Sequence, residues 1–425
     1  MELRPGYKQT EVGVIPDDWD VKTLDSVLSK GRLGGNYANQ DAEAELPLMK
    51  MGNLARGNFD LSKVQFIKPG VLPEPAHRLV YGDVLFNTRN TLDLVGKVAI
   101  WRDEIPVAYY NSNLMRLEFD PDQVCSNEFA NYSLNTESAI SRLRGLATGT
   151  TSVAAIYTRD LLKLKLLVPP LPEQRAIAQA LSDVDALLAS LDQVIAKKRD
   201  LKQAAMQQLL TGKARLPGFD GEWEAKKLEH AGSCLRGVSY RGDDDLSPHD
   251  TAFTKRLLRS NNVQNAFVVT SDVQFVNDKR VSQTQILQKN DILICMANGS
   301  KALVGKAGLF SIGDGFDYTF GAFMGCFRTD ASIADPVFVF SLFQTGRYRD
   351  YVTNLLAGSS INNLSPSSIE SLEFSFPPYS EQVAIGRALA EMDAELSVLE
   401  SRRDKTRNIK QAMMQELLTG KTRLV

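Results

Sequence analysis

The stretch VPPLPEQRAIAQALSDVDALL, residues 168–188, is written a second time as FPPYSEQVAIGRALAEMDAEL, residues 376–396. The repeat ends with KQAAMQQLLTGKARL at 202–216 and KQAMMQELLTGKTRL at 410–424. The two copies align without a gap, and about half of the aligned positions are identical. A repeat of this length and fidelity dictates the architecture of the whole chain.

Each copy predicts one long helix. Two prolines, at 169–170 and again at 377–378, close an extended segment, because the residue before a proline avoids the helical region. Glu173 and Glu381 follow these prolines, where a helix N-terminus favours negative charge. We therefore expect a helix to begin just before each glutamate.

The far end of each copy carries a helix stop, a Thr-Gly pair at 211–212 and at 419–420. Between start and stop, apolar residues recur in alternating steps of four and three, the spacing of a seam for a partner helix. The predicted seam residues are Ile177, Leu181, Val184, Leu188 and Leu191 in the first copy and Ile385, Leu389, Met392, Leu396 and Leu399 in the second. We expect the two copies to pair with each other.

The seam then turns polar at Lys198 and Lys202 in the first copy and at Arg403, Thr406 and Lys410 in the second. One interpretation is a stutter in the coiled coil, with Lys and Arg stems covering apolar surface. The other is a docking surface for a second protein. The sequence leaves both open.

Composition places the chain among ordinary globular proteins. Its 425 residues, 43% hydrophobic and 24% charged, predict two or three domains. The four cysteines are far apart, which gives neither a metal-ligand spacing nor a disulfide framework. No apolar run approaches the length of a membrane span, so we expect a cytoplasmic protein that binds no membrane. A net charge of −2 restricts any DNA contact to local patches.

The segments outside the repeat predict two similar α+β regions. Trp19 in VIPDDWDVKTL corresponds to Trp223 in GFDGEWEAKKL, and GDVL…VGK to NDIL…VGK. Short apolar runs of strand length, such as 114–119, alternate with a few helical segments, such as 127–143, and residues 30–37 are expected to form a polar loop. The predicted division is residues 1–167 for the first globular region, 168–216 for its helix, 217–375 for the second globular region and 376–425 for the last helix. The fold is an internal pseudo-two-fold repeat with two long antiparallel helices.

This arrangement resembles the specificity subunit of type I restriction–modification systems over essentially the whole chain. The doubled PP-x-x-EQ…LLTGK helices, the two VGK segments and the GTTS and GSSI turns before each helix carry the resemblance. It implies that the globular regions are target recognition domains, each reading one half of a split, asymmetric site in double-stranded DNA. It also implies that the helices set the spacer and dock two methyltransferase subunits, to which nuclease–translocase subunits are added.

No catalytic site is convincing, and no cofactor is expected on this chain. FPPY at 376–379 differs from the base-holding motif of adenine methyltransferases, because Phe376 supplies no acceptor before the prolines. GSKALVGKA at 299–307 fails the phosphate-loop spacing, and the three histidines form no triad or metal pattern. Two rival hypotheses are a self-contained adenine DNA methyltransferase and a bivalent protein scaffold that binds no DNA.

DNA contacts are expected from basic and amide residues in polar loops. Arg and Lys contact phosphates, Arg reads guanine, and Asn or Gln reads adenine. The candidates are Arg32, Asn36, Lys50, Arg56, Arg89 and Asn90 in the first region and Arg236, Arg241, Arg259, Asn262, Asn298 and Lys301 in the second. Positions that match between the regions, Lys50 with Arg259 and Asn53 with Asn262, are also open to a structural interpretation. Residues that read different bases should differ.

Overall fold

A computed structural model describes residues 4–357 and 362–424 of the chain. The GSSI turn at 358–361 lies outside the described residues. Contacts between residues divide the chain into two units, 1–192 with 401–425 and 193–400. Each unit therefore contains one globular region together with part of each long helix.

The globular part of the first unit contains two four-stranded sheets. The order of the first is Val98–Ile100, Val84–Asn87, Leu114–Phe119 and Leu28–Leu33, all antiparallel. The order of the second is Tyr109–Tyr110, Pro47–Met49, Gln65–Ile67 and Asn39–Gln40, with its first pair parallel. Smaller pairings join Tyr7–Thr10 to Gly13–Pro16, Asp20–Thr23 to Lys165–Val168, and Ala154–Ala155 to both Thr148–Gly149 and Arg89–Asn90. The helices are Leu24–Val27, Asn127–Leu134, Glu137–Leu146 and Thr158–Leu161, with 3-10 turns at Met51–Asn53 and Pro75–His77.

The globular part of the second unit has a similar plan, but its larger sheet contains six strands instead of four. Its larger sheet has the order Gly232–Arg236, Met324–Thr329, Ile292–Cys295, Ala307–Leu309, Phe267–Val268 and Val263–Gln264. The other sheet has the order Leu246–Ser247, Gln274–Asn277, Thr254–Leu258 and Tyr318–Phe320, and Glu224–Lys227 pairs with Glu373–Phe376. The helices are Gly242–Asp245, Pro336–Leu342, Gly346–Ala357 and Pro366–Glu370, with 3-10 turns at Leu228–His230, Ser260–Asn262, Asp278–Arg280, Gln283–Gln285 and Lys301–Leu303.

The α+β prediction is confirmed, and two local expectations need correction. The segment 30–37, expected to be a polar loop, begins as part of the strand Leu28–Leu33. This strand lies at the edge of its sheet with mostly exposed or half-exposed side chains, which explains its polar sequence. The segment 127–143 forms two helices, because the first ends at Leu134 and Thr136 caps the second, its Oγ1 accepting from Ala139 N at 3.2 Å.

The repeated stretch forms two helices of 39 residues, Leu171–Leu209 and Tyr379–Leu417. Gly212 and Gly420 follow them with φ of +68° and +71°, the left-handed conformation that favours glycine at a helix end. The helices run antiparallel within each unit, because residues later on one helix pair with residues earlier on the other. The ion pairs are Asp185–Lys410 (2.5 Å) and Asp192–Arg403 (3.7 Å) in the first unit and Lys198–Glu395 (2.7 Å) and Lys202–Asp393 in the second.

The polar part of the seam is therefore an ion-paired section of the helix pair. Thr406 is buried there, and its hydroxyl donates to the carbonyl of Arg402 in the preceding turn. Some residues of the apolar seam also pack into the cores of the globular regions. Ile177 and Leu181 belong to the globular core of the first unit, and Ile385 and Leu389 to that of the second. The remaining predicted seam residues are buried or half-buried: Val184, Leu188, Leu191, Met392, Leu396 and Leu399.

A buried glutamate fixes the start of the first long helix. Glu173 is fully buried, and its carboxylate accepts from Trp19 Nε1 (2.9 Å) and from Arg423 Nε (2.6 Å). Arg423 also donates to both oxygens of Asp18, at 3.0 and 2.8 Å. These hydrogen bonds, with the one to Glu173 foremost, raise the pKa of the Arg423 guanidinium. The end of one helix thus anchors the beginning of the other.

The second unit contains the same joint. Glu381 is fully buried and accepts from Nε and Nη2 of Arg215, both at 2.6 Å, and from Trp223 Nε1 at 3.3 Å. The next residue, Gln382, donates to the Pro377 carbonyl and accepts from Asp335 N. The repeated Glu-Gln pair is therefore an attachment between helix and globular region, beyond the helix-terminal charge expected from sequence.

Candidate nucleic-acid interface

The predicted DNA contacts of the first unit gather around one turn, Asn111–Asn113. Ser112 N donates to Gly35 O and Asn111 N to Met49 O, each at 3.0 Å. Asn113 O accepts from Thr88 N, also at 3.0 Å. The turn therefore brings together the segments that carry four of the candidates: Asn36, Lys50, Arg89 and Asn90. Asn36 and Arg89 are exposed, and Lys50 Nζ donates to Gln65 Oε1 at 2.6 Å.

The second unit builds an equivalent turn at Gly321–Phe323. Gly321 N donates to Leu258 O, and Phe323 O accepts from Met296 N. Met296 O accepts from Leu364 N, as Thr88 O accepts from Ile156 N in the first unit. The backbone framework is thus shared, and it identifies corresponding positions in the two globular regions.

Side chains at corresponding positions differ on the exposed side of this framework. Arg89 of the first unit corresponds to Ala297 of the second, and Asn113 corresponds to Phe323. Phe323 is 72% exposed, although exposure of an aromatic ring to water is unfavourable. A shared framework with different exposed chemistry is what two readers of different sequences require.

Phe323 lies on the rim of an open cleft of about 730 Å³ in the second unit. Two predicted contacts, Arg259 and Asn298, line this cleft together with Tyr240, Ser260 and Asn362. Asn298 is held in place, because its Oδ1 accepts from Ser300 N and its Nδ2 donates to Ser260 Oγ. Arg259 Nη2 donates to Asp272 Oδ2 at 3.0 Å. The cleft offers amide, guanidinium and aromatic groups to a ligand.

The burial of Asn262 contradicts the prediction that this residue contacts DNA. The residue is fully buried, and its amide donates to the carbonyls of Val269 and Ser271 while its Oδ1 accepts from Arg259 N. Asn53 makes the same set of bonds in the first unit, to Asp60 O, Lys63 O and Lys50 N. The matched asparagines therefore build a turn, which agrees with the structural interpretation of matching positions.

Arg56 lies in a separate turn of the first unit, which a hydrogen bond from Ala55 N to Asn58 O closes. It is half-buried, and burial lowers the pKa of its guanidinium, with the positive charge of Arg144 adding to the effect. Its Nη1 is buried and has no hydrogen-bond partner among the described residues. Two neighbouring guanidinium groups would be stabilised by an anion, and a DNA phosphate is such an anion.

The side chains of the four remaining candidates take part in none of the contacts described above. Arg32 lies on the edge strand, 3.7 Å from Glu118. Arg236 and Arg241 are exposed at the end of a strand and the start of a short helix, and Lys301 donates to Leu356 O at 3.4 Å. The cleft also contains Phe323, Tyr240 and Asn362, which are not among the contacts predicted from the sequence. An aromatic residue in the turn between the strands Tyr318–Phe320 and Met324–Thr329 was the available signal.

The described residues contain no group of three or more His, Cys, Asp or Glu side chains placed to hold a metal ion. None of their helices has both the length and the hydropathy needed to cross a membrane.

Comparison with known proteins gives the family. The model of the type I restriction modification DNA specificity domain matches the chain twice, over residues 16–197 and 222–406. The putative type I restriction enzyme MjaX specificity subunit of Methanocaldococcus jannaschii is 23% identical and is covered over 97% of its length, with 98% of this chain. The EcoKI specificity subunit of Escherichia coli K12 is 29% identical over 47% of this chain and 42% of its own.

A solved structure shows the same fold. The crystal structure of the S subunit of a type I restriction–modification system from M. genitalium matches with a TM-score of 0.61 at 15% identity, and the match covers 98% of both chains. The double match of the family model agrees with the internal repeat and with the two units. The chain belongs to the specificity subunits of type I restriction–modification systems, the DNA-recognition and non-catalytic members of these complexes.

Proposed function

We propose that each globular region reads one half of a bipartite, asymmetric site in double-stranded DNA. The observation that carries this proposal is the shared turn framework with different exposed side chains, Arg89 and Asn113 in one region against Ala297 and Phe323 in the other. Two regions with identical exposed groups would read a symmetric site. The functional division keeps the predicted boundaries, 1–167 and 217–375 for the two readers and 168–216 and 376–425 for the helices.

We further infer that the helices dock two methyltransferase subunits and set the spacer between the half-sites. The partners would carry S-adenosylmethionine and extrude the target adenine, and nuclease–translocase subunits would complete a restriction complex. The corresponding buried joints at Glu173 and Glu381 support this inference, because the same residue types attach a long helix to the globular region in both units. We also infer that the protein acts in the cytoplasm.

Domain exchange tests the proposal of independent reading. Replacing residues 217–375 with the corresponding region of a relative should change one half of the methylated motif and leave the other half unchanged. Single-molecule sequencing of DNA from cells that make the hybrid with its methyltransferase measures both halves at once. A change in both halves together would contradict independent reading, and the absence of any methylated motif with the wild-type chain would contradict the DNA-recognition assignment.

Arg89→Ala tests the surface around the first turn. An arginine bidentate to guanine contributes about 1–3 kcal/mol of discrimination, so we expect the variant to relax one position in one half-site and to weaken binding there by roughly tenfold. Competition binding of the methyltransferase complex to matched and mismatched duplexes measures this. The control is Arg387→Ala, an exposed arginine paired with Glu391 on the long helix. Equal weakening on every sequence, with a salt dependence reduced by about one ion, would assign Arg89 to a phosphate instead.

A further inference from the structure

The last part of each long helix is where the two copies are most alike. Residues 201–216 and 409–424 differ only at 201, 205, 208 and 214 and at their counterparts. The globular regions have diverged strongly by comparison. Each residue that is identical in the two copies should therefore have a role in folding or in binding.

Packing and hydrogen bonding within each unit account for most of these identities. Lys202 and Lys410 pair with aspartates on the other helix, and Arg215 and Arg423 pair with the buried glutamates. The paired leucines, Leu209 with Leu210 and Leu417 with Leu418, pack in or against the globular cores. The Thr-Gly pairs end the helices.

Three polar identities have no such role. Gln203, Gln207 and Lys213 are exposed, as are their counterparts Gln411, Gln415 and Lys421. Their side chains make no hydrogen bond or ion pair with another residue in the described parts of the chain. Exposed polar residues tolerate substitution at almost no cost in stability, so folding alone gives no reason for their identity.

These same residues line one cleft in each unit. In the second unit, Gln203, Gln207 and Lys213 face the turn Gln344–Arg347 across a cleft of about 510 Å³ with Met206 in its wall. In the first unit, the counterparts line a cleft of about 590 Å³ against the turn Asn135–Glu137. Met414, the counterpart of Met206, also lines this cleft.

In this last part of the helices, exposed polar residues outside the clefts are not shared between the copies, although the small exposed residues Ala204 and Ala412 are identical. Gln208 corresponds to Glu416 and Ala214 to Thr422; all four are exposed, and none lines either cleft. The opposite wall also differs between the units, with Glu137 in one and Arg347 in the other. The exposed polar residues that the two copies share in this part are therefore confined to the face that borders the cleft.

We propose that the two clefts receive the same segment of a methyltransferase subunit, one subunit at each cleft. Two clefts that share the same helix face fit one partner bound twice, whereas the two halves of an asymmetric DNA site differ. The segment would place an apolar side chain against Met206 or Met414, hydrogen-bonding groups against the two glutamines, and a carboxylate near Lys213 or Lys421. This inference rests on the proposed function and assigns the docking contact within it.

Tryptophan substitutions test the clefts separately. Gln207→Trp fills the cleft of the second unit, and Gln415→Trp fills that of the first. Native mass spectrometry of the chain co-expressed with its methyltransferase subunit should show two copies bound to the wild type, one copy bound to each single variant and none bound to the double variant. Gln208→Trp is the control, because it is the same exchange at the adjacent exposed position outside the cleft. It should retain two copies.

Each result has one meaning. Retention of either methyltransferase copy by the double variant overturns the cleft proposal while leaving the proposed function intact. Equal loss with Gln208→Trp also overturns it, because the effect would then come from the helix and not from the cleft. If the wild-type chain binds no methyltransferase subunit, the proposed function itself fails. A homodimer of the chain that Gln207→Trp abolishes would assign the cleft to self-association and overturn the proposal as well.

Discussion

Glu173→Ala should destabilise the first unit by about 3–5 kcal/mol, because removing one partner of a buried ion pair leaves the other charge uncompensated. Glu173 is fully buried, and its loss would leave Arg423 and the indole nitrogen of Trp19 without their acceptor. Denaturant unfolding followed by circular dichroism and by tryptophan fluorescence measures the shift. Glu381→Ala should act in the same direction on the second unit, where Arg215 loses both of its bonds to that carboxylate.

The matched control is Glu391→Ala, which removes an exposed ion pair with Arg387 in the same kind of helix. Surface pairs of this type contribute little, so no measurable change is expected. The double variant Glu173→Ala/Arg423→Ala should cost less than the sum of the two single variants, because the two residues act as one pair. Strict additivity, or an unchanged midpoint for Glu173→Ala, would show that the joint contributes nothing to stability.

Leu191→Asp should destabilise the helix pair by at least about 2–5 kcal/mol, the range for losing a buried leucine side chain, with the burial of a carboxylate added to it. Leu191 is 5% exposed. It lies next to Asp192, whose ion pair with Arg403 brings the second helix alongside. We expect a lower unfolding midpoint, loss of helical signal at a lower temperature and loss of methylation in cells.

Leu187→Asp provides a control of the same chemistry on the same helix. Leu187 is 39% exposed, so a carboxylate there stays hydrated and the free energy of unfolding should change by less than about 0.5 kcal/mol. Comparable destabilisation by both variants would mean that the heptad stripe does not define the buried face. Full methylation by Leu191→Asp would mean that function does not need the pairing.

Much of the fold could be predicted from the sequence because it rests on local rules. Prolines before Glu173 and Glu381 and glycines at 212 and 420 define the helix ends through backbone sterics, which act within a few residues. The strand Leu114–Phe119 has the predicted bounds, because its apolar run is buried in the centre of a sheet. The edge strand at 28–33 was missed for the opposite reason, since one exposed side leaves no apolar pattern.

The candidate site was predicted only in part, because contact with DNA depends on which loops meet. Arg259 and Asn298 are 39 positions apart in the chain and share one cleft, whereas Asn262, three residues from Arg259, is buried in a turn. Phe323 was missed because aromatic residues usually indicate core, and only the fold shows that this ring lies on the surface.

The sequence alone determined the duplication, the two long helices, the two α+β regions and the family. Repeats, helix start and stop signals and heptad spacing all depend on the order of residues along the chain, so they can be recognised without a structure. Tertiary structure alone decided what the repeated residues do. The joint of Glu173 with Arg423 links residues 250 positions apart, and the polar seam became a set of ion pairs between helices. The equivalence of the turns at Asn113 and Phe323 likewise appears only from backbone hydrogen bonds between distant strands. Such contacts depend on chain closure over long distances, which no local pattern encodes.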